Sequence, residues 1–529
     1  MQPITNECRL PVGIQTFSEI RKGGYLYVDK TNLVWKIVNG GYKYNYLSRP
    51  RRFGKSLLVD TFQCYLEGRK DLFGGLKIMD LETEWTARPV IRLDMSWAGE
   101  SLASLNSYLD AVFCEYEKQY GLDSVSTFSF QRRFRDIVDT AHKTSGHRVA
   151  VLIDEYDFPL QHSWGTPEHE KCASVYREVF TTLKAADAHI RFVFITGITK
   201  FAQISLFSAL NNLVNLSFDP KYECLCGISE REMLDNLMPE IEAMAAKNEV
   251  TPDEMVARLK DLYDGYHFSS DMTADIYNPF SLLSALSLRR LSNYWVSSGA
   301  NTLIMKFVDD AEIKLRDFDG CCMSANVLES SDIANGTPEL FLYQSGYLTI
   351  KDYRNGVYIL KFPNAEIRQA LYETVLPVLA MRVRTGTASL QGALQLHVED
   401  GNIPEAMAVL KALISDVPYS NKKLACMDME ERYRLIISTI LNAIGFQVEV
   451  ERMLATGRID MVATSARYIY VIELKLQKNG GLDAAANQII ANNYLAPFQG
   501  SARKVVGLAL ELDDLGKGLT GWREVKAAE

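Results

Sequence analysis

Several features that would define a class at once are missing from this sequence. No stretch approaches the ~20 uninterrupted apolar residues of a membrane helix, so no helical span and no membrane partner are expected. The opening MQPITNECRL lacks a charged start followed by an apolar run, and no signal peptide is expected. Nine cysteines are scattered along the chain. The closest pairs, Cys224 with Cys226 and Cys321 with Cys322, lack the CxxC spacing of a zinc or redox motif. That pattern fits a reducing cytoplasm, with the cysteines as small core residues. There is no internal repeat and no low-complexity segment. A formal charge of −9 argues against coating nucleic acid by charge alone, though a local basic groove stays compatible with it.

What is present is a globular chain of 529 residues, 47% hydrophobic and 23% charged. At roughly 100–200 residues per domain, about three domains are expected. Residues 1–225 alternate strand-like and helix-like stretches. Tyr42 to Leu47 reads as a strand, Lys55 to Leu66 as a helix. Val90 to Leu93, Arg148 to Ile153 and Arg191 to Thr196 are further apolar strands, which suggests a parallel sheet covered on both faces. From 226 to 375 the pattern turns mostly helical, with capping boxes at Ser229/Glu232 and Thr251/Glu254. A winged-helix piece is weighed at Glu339 to Lys361. Residues 376–424 read as a helical linker. From 425 to 529 the order is a helix (Glu430 to Ile444), strands (Gln447 to Glu451, Ile459 to Thr464, Tyr468 to Leu476) and a helix (Leu482 to Leu495). That is a small α/β unit.

Between the first strand and its helix lies Ser48-Arg-Pro-Arg-Arg-Phe-Gly-Lys-Ser56. Gly54, Lys55 and Ser56 match the end of a G-x-x-x-x-G-K-[ST] loop. In such a loop backbone N–H groups and a helix N-terminus hold phosphate oxygens, the lysine neutralises the β- and γ-phosphates, and the serine hydroxyl binds Mg²⁺. Arg49 stands where the leading glycine would be. Arg51 and Arg52 either assist phosphate binding or brace the loop. About 100 residues on, Val149-Ala-Val-Leu-Ile-Asp-Glu-Tyr-Asp ends an apolar strand in acids. Asp154 suits the Mg²⁺ ligand of such enzymes, and Glu155 the group that polarises the attacking water. Thr196 or Thr199, ending the next strand, could contact the γ-phosphate or that water.

These segments, with FITGITKF, LNNL, YDGYHF and YNPFSLL, resemble in order the predicted AAA-ATPase-like family of bacteria. The likeness covers roughly residues 8–300. That family carries RPRRFGKS-type loops, so Arg49 departs from the general loop and not from the family. The resemblance implies ATP binding without establishing turnover.

In the last region Gly457-Arg-Ile-Asp460 precedes Glu473-Leu-Lys475. Glu473 and Lys475 are two apart on a strand and share a face. Asp460 begins the preceding strand of a hairpin. Two carboxylates can hold Mg²⁺, or Mn²⁺, which acidifies a bound water, and the lysine can position that water. This is the D…ExK arrangement of PD-(D/E)XK nucleases. Over 425–500 the order also resembles the nuclease-like domain joined to this ATPase family. The resemblance gives Glu431 the place of an N-terminal metal acid and Gln488 that of a site glutamine.

His267, Tyr294 and Trp295 are read as packing residues. The expected function is an ATPase whose nucleotide state regulates a metal-dependent nuclease on DNA or RNA, DNA favoured. The alternative is a nucleotide-controlled switch that binds nucleic acid or protein through an inactive nuclease fold. A signalling scaffold ranks third. Self-association into a homo-oligomer is left open.

Overall fold

The computed structural model describes residues 9–123, 128–199, 213–295, 319–330, 337–379, 387–415 and 428–526. The last residues of FITGITKF, most of LNNL and the segment after Trp295 lie outside these. The chain forms two compact units. One takes in the described residues through Tyr294 and those of 319–364. The other takes in Trp295 and those from Ala365 on.

The first unit is built on a five-stranded parallel sheet. Its strands are β1 (Tyr44–Ser48), β2 (Val90–Asp94), β3 (Val149–Asp154), β4 (Ile190–Gly197) and β5 (Leu213–Asn215). Their order is β2-β3-β4-β1-β5. All six residues of β3 are buried. That is why β3 reads as a continuous apolar run rather than an alternating one. The helix Lys55–Leu66 follows β1 and buries Leu58, Val59, Phe62 and Leu66, the i, i+4, i+8 stripe of a helix lying on a sheet. The Phe62 ring lies 4.6 Å from Phe194 and 5.4 Å from Phe192. Burying such a ring contributes about 2–3 kcal/mol, which anchors the helix start where the loop needs it. Arg92 on β2 pairs with Asp60 of this helix at 2.9 Å.

The strand β6 (Ile228–Ser229) pairs with β7 (Ile276–Tyr277). Around them pack the helices Glu230–Lys247, Pro252–Tyr263 and Pro279–Leu288. Both predicted capping boxes form. The rest of this mostly helical middle region adds a small sheet in the stretch weighed as a winged-helix piece. β8 (Cys321–Ser324), β9 (Thr349–Arg354) and β10 (Val357–Lys361) make an antiparallel sheet in the order β8-β10-β9, with the helix Pro338–Ser345 before β9. Asn355 and Gly356 both take positive φ between β9 and β10, the conformation an Asn-Gly hairpin turn favours.

The second unit carries the helices Ala365–Leu379, Thr387–Glu399, Ile403–Ser415 and Met429–Ala443, then a five-stranded sheet. Its strands, β11 (Gln447–Leu454), β12 (Gly457–Thr464), β13 (Tyr468–Leu476), β14 (Lys504–Leu512) and β15 (Leu519–Val525), lie in sequence order. Only β13 and β14 are parallel. Their crossover is the helix Gly481–Ala491, which packs Ala485, Ala486 and Ile489 against Ile469 and Val471. By alternation Glu473 and Lys475 continue the face of Ile469 and Val471. Among the described residues no helix is long and apolar enough to cross a membrane.

Candidate functional site

The C-terminal ends of β1, β3 and β4 gather the first site. Gly54 takes φ 87° as the cap of the helix Lys55–Leu66, with open space where a Cβ would stand. This lets the backbone turn its N–H groups toward a ligand. Lys55 is buried, and its Nζ donates to the carbonyls of Arg49 and Pro50, each at 3.0 Å. Burial pulls the ammonium downward from its usual range, and the charges of Glu155, Asp154 and Asp157 oppose that.

Asp154 ends β3 fully buried. Its Oδ1 accepts from the Glu155 N–H at 3.0 Å, while its Oδ2 has no hydrogen-bond partner. Burial pushes its carboxyl up, and the Ser56 hydroxyl works against that. Glu155 is raised too, chiefly by burial. It sits at φ 45°, a left-handed conformation that costs a non-glycine residue about 1–3 kcal/mol and that folds keep at functional positions. Thr196, at the end of β4, is buried with its Oγ1 unpartnered. Thr199 is committed elsewhere. Its N–H and hydroxyl both donate to Asp157 Oδ2 at 2.6 Å, and Gln161 donates to its hydroxyl at 3.1 Å. The two threonines that look equivalent in sequence are thus separated. Asp157, the last acid of the strand-end cluster, carries the turn after β4. Its role is not legible from the motif, in which it stands beside Asp154 and Glu155. Asp94, paired in register with Asp154, likewise ends its strand, but the Arg92 inside β2 breaks the apolar run that makes β3 legible.

The basic residues of the loop divide in a similar way. Arg49 is buried; it donates to the carbonyls of Ser48, Ser217 and Tyr222 and stacks on Phe268. Arg52 takes φ 64° and lies 3.7 Å from the centre of the Phe280 ring. Arg51 is half-buried. Phe53 packs edge-on to Tyr266 at 4.8 Å and Phe268 at 5.5 Å, and its carbonyl accepts from the Gly227 N–H. The YDGYHF and YNPF segments therefore clasp the loop from behind. Tyr294 and Trp295 are buried, and His267 pairs with Asp275 at 2.9 Å. Beside the loop opens a mostly apolar pocket whose walls include Leu26, Val28, Phe53, Leu57, Cys226 and Ile228.

The second site lies in the other unit. Asp460 and Glu473 are both buried. They face each other across β12 and β13. The Asp460 N–H donates to Glu473 Oε2 at 3.3 Å, and the Leu474 N–H donates to Asp460 Oδ2 at 2.9 Å. Glu473 Oε1 has no hydrogen-bond partner, and Lys475 Nζ stands 3.7 Å from it. Burial, then the charge of Asp460, pushes the Glu473 carboxyl well above the usual carboxylate range. An orphaned carboxylate oxygen beside a second carboxylate is a donor set that suits a divalent cation. Among the described residues no three His, Cys, Asp or Glu groups gather as a metal cluster. An ion here would take these two acids and complete its shell with water or backbone oxygen.

Glu431 lies one turn before Arg434 on the helix Met429–Ala443. Arg434, which no local motif marks, reaches Asp460 Oδ1 at 3.1 Å and Glu451 at 2.8 Å. Gln488 sits on the crossover helix. Its amide donates to Tyr494 Oη at 3.4 Å, and Tyr494 donates to the Arg458 carbonyl at 3.0 Å. It is thus tied to the strand two residues before Asp460.

Fold and sites define a chain that joins an α/β unit bearing a Gly-Lys-Ser loop opposite strand-end acids to a small α/β unit bearing a D…ExK set. Comparison with known proteins agrees: residues 11–207 match the family model described as predicted AAA-ATPase, and residues 428–515 match that of the PD-(D/E)XK nuclease superfamily. The chain is 29% identical over 530 residues to a protein of Azotobacter chroococcum mcd 1 described as "uncharacterized protein in vnfD 5'region". The match covers 97% of this chain and 98% of that one. Among solved structures, the Aeropyrum pernix ORC2 protein in ADPNP and ADP complexes aligns over 63% of this chain and 88% of its own, at 11% identity and a TM-score of 0.26. The ORC1 protein of the same organism in complex with DNA aligns over 65% and 90%, at 12% identity and 0.23. Scores this low carry no argument about this chain.

Proposed function

We propose that the chain binds and hydrolyses ATP, and that its nucleotide state regulates a metal-dependent nuclease acting on DNA or RNA, DNA favoured. The observation that carries this is the set of unsatisfied polar groups at the strand ends. Asp154 Oδ2 and Thr196 Oγ1 are buried without partners, and Lys55 is turned back onto carbonyls of its own loop. Buried polar groups are rarely left unpaired; a triphosphate with its ion would satisfy Asp154 and Thr196, and would offer Lys55 anionic oxygens in place of its own loop's carbonyls.

In this reading the base occupies the apolar pocket beside Phe53. Loop N–H groups and Lys55 hold the β- and γ-phosphates. Ser56 and Asp154 hold Mg²⁺, Glu155 orients and polarises the attacking water, and Thr196 contacts the γ-phosphate or that water. At the second site a divalent ion on Asp460 and Glu473 would supply an acidified water. Lys475 orients that water and offsets the charge that develops on the phosphate. Gln488 supports the site from the crossover helix, whereas Glu431, which the resemblance made a metal acid, does not gather with Asp460 and Glu473 into one ligand set.

Cleavage of single- and double-stranded DNA and RNA with Mg²⁺ or Mn²⁺, with and without ATP, tests this. Wild type should cut at least one substrate and Lys475→Ala should not. Lys55→Ala should abolish the ATP effect. Wild-type protein that bound no ATP and cut nothing would overturn the reading. The Arg434–Asp460 ion pair favours a second reading, in which the nuclease fold is inactive and serves a nucleotide-controlled switch that binds nucleic acid or protein. An Asp460→Asn chain that kept its full biological effect would select it.

A further inference from the structure

Asp460 is held on both oxygens by the protein itself. Leu474 N–H donates to Oδ2 at 2.9 Å, and Arg434 Nη2 lies 3.1 Å from Oδ1. The Arg434 side chain is only 9% exposed. Its other terminal nitrogen meets Glu451 Oε1 at 2.8 Å, and its Nε is buried without a partner. The guanidinium is therefore aimed at its two acids at the expense of its third donor. Glu451 is 30% exposed and also pairs with Arg458 at 3.1 Å. It is a second acceptor, nearer to solvent, to which Arg434 can withdraw without losing its charge partner.

We propose that Arg434 is a resident counter-cation of the nuclease site, competing with the divalent ion for Asp460 and setting how readily the ion enters. This rests on the reading that Asp460 and Glu473 hold that ion. A guanidinium and a metal cannot both take Oδ1 in the same direction, and two cations side by side repel. Entry of the ion requires Arg434 to swing toward Glu451, so the pair Arg434–Glu451 acts as a latch on Asp460. Arg434 is a positioning residue, and its effect belongs to ion affinity before it reaches any cleavage rate.

Mn²⁺ binding to the full chain without nucleotide, followed by calorimetry and by the electron-spin signal of free Mn²⁺, tests this directly. The chains compared are wild type, Arg434→Gln, Arg434→Lys, Glu451→Gln and Asp460→Asn, with thermal unfolding confirming that each is folded. The site in question is the one Asp460→Asn abolishes. Arg434→Gln should tighten Mn²⁺ binding there by about tenfold or more, the scale of changes around a metal's own ligands. Arg434→Lys, which is too short to span both acids, should lie between. Glu451→Gln, which removes the resting place of Arg434, should weaken binding. A gain of affinity cannot arise from misfolding, and should Arg434→Gln fail to fold, Arg434→Lys decides. Equal or weaker Mn²⁺ affinity in the folded Arg434 variants, with a site present in wild type, overturns the latch alone. No Asp460-dependent Mn²⁺ site in any chain overturns the latch and the metal reading together.

Discussion

The guanidinium carbon of Arg49 lies 4.1 Å from the centre of the Phe268 ring. The two residues are 219 positions apart, one opening the phosphate loop and one closing the YDGYHF segment. Arg49 thus does for this loop what a glycine cannot. It ties the strand end to the Ser217 and Tyr222 carbonyls and to an aromatic wall.

Arg49→Gly, which restores the leading glycine of the general loop pattern, should therefore harm the protein. Loss of three carbonyl partners and a buried stacking contact is expected to cost about 3 kcal/mol. Denaturant unfolding would measure it, and ATP affinity should fall with it as the loop loses its brace. Unchanged stability would show that the Arg49 clasp is incidental.

Lys55 and Glu155 should separate binding from turnover. Lys55→Ala is expected to lose ATP binding in equilibrium titration. Glu155→Gln should bind ATP within about threefold of wild type and lose phosphate release by 10²-fold or more, the size of a general-base contribution. Single-turnover phosphate release distinguishes the two. Full turnover in Glu155→Gln would move the water-polarising role to another acid, with Asp94 next in line.

Asp157 carries the turn after β4 through the Ile198 and Thr199 N–H groups and the Thr199 hydroxyl. Asp157→Ala leaves those donors buried and unsatisfied, and a loss of about 3 kcal/mol is expected in chemical denaturation. Because Thr196 sits three residues before Thr199, ATP turnover should drop more than ATP affinity. The reverse ranking would argue that the turn serves binding alone.

Stability should respond to pH through Asp264 of the YDGYHF segment. It is 1% exposed, both carboxylate oxygens lack hydrogen-bond partners, and Lys260 Nζ is 3.9 Å away. Burial pushes its carboxyl up to about 7. A carboxyl raised by folding binds protons more tightly in the fold than in the unfolded chain. Its contribution is complete below about pH 4, near the unfolded value, and is lost as pH rises through about 7. Asp264→Asn should accordingly raise the unfolding temperature at pH 8 by on the order of 5 °C and leave it unchanged near pH 4. Scanning calorimetry at the two values checks the sign.

Much of this architecture could be read from local pattern. A fully apolar β3 ending in acids, a Gly-Lys-Ser loop before a helix, and Glu473 two residues from Lys475 each announce themselves within a few residues. What escaped depends on distance. Nothing local distinguishes Thr196 from Thr199; only the fold brings Asp157 onto the second. Arg434 looks like one more helix cation until β12 places Asp460 beside it. β15 was invisible for a different reason. Leu519–Val525 is a polar edge strand, and its identity comes from pairing with β14.

The position of β4 between β1 and β3 has a geometric result. Neighbouring strands lie about 4.8 Å apart, so the axes of β1 and β3 stand roughly two spacings, or ~10 Å, from each other. Side chains at their ends meet only by reaching inward over the end of β4, as the Ser56 hydroxyl and the Asp154 carboxyl do. Thr196, on the intervening strand, forms the floor beneath that meeting. One inserted strand thus turns what would be a flat strand edge into a recess with two facing walls.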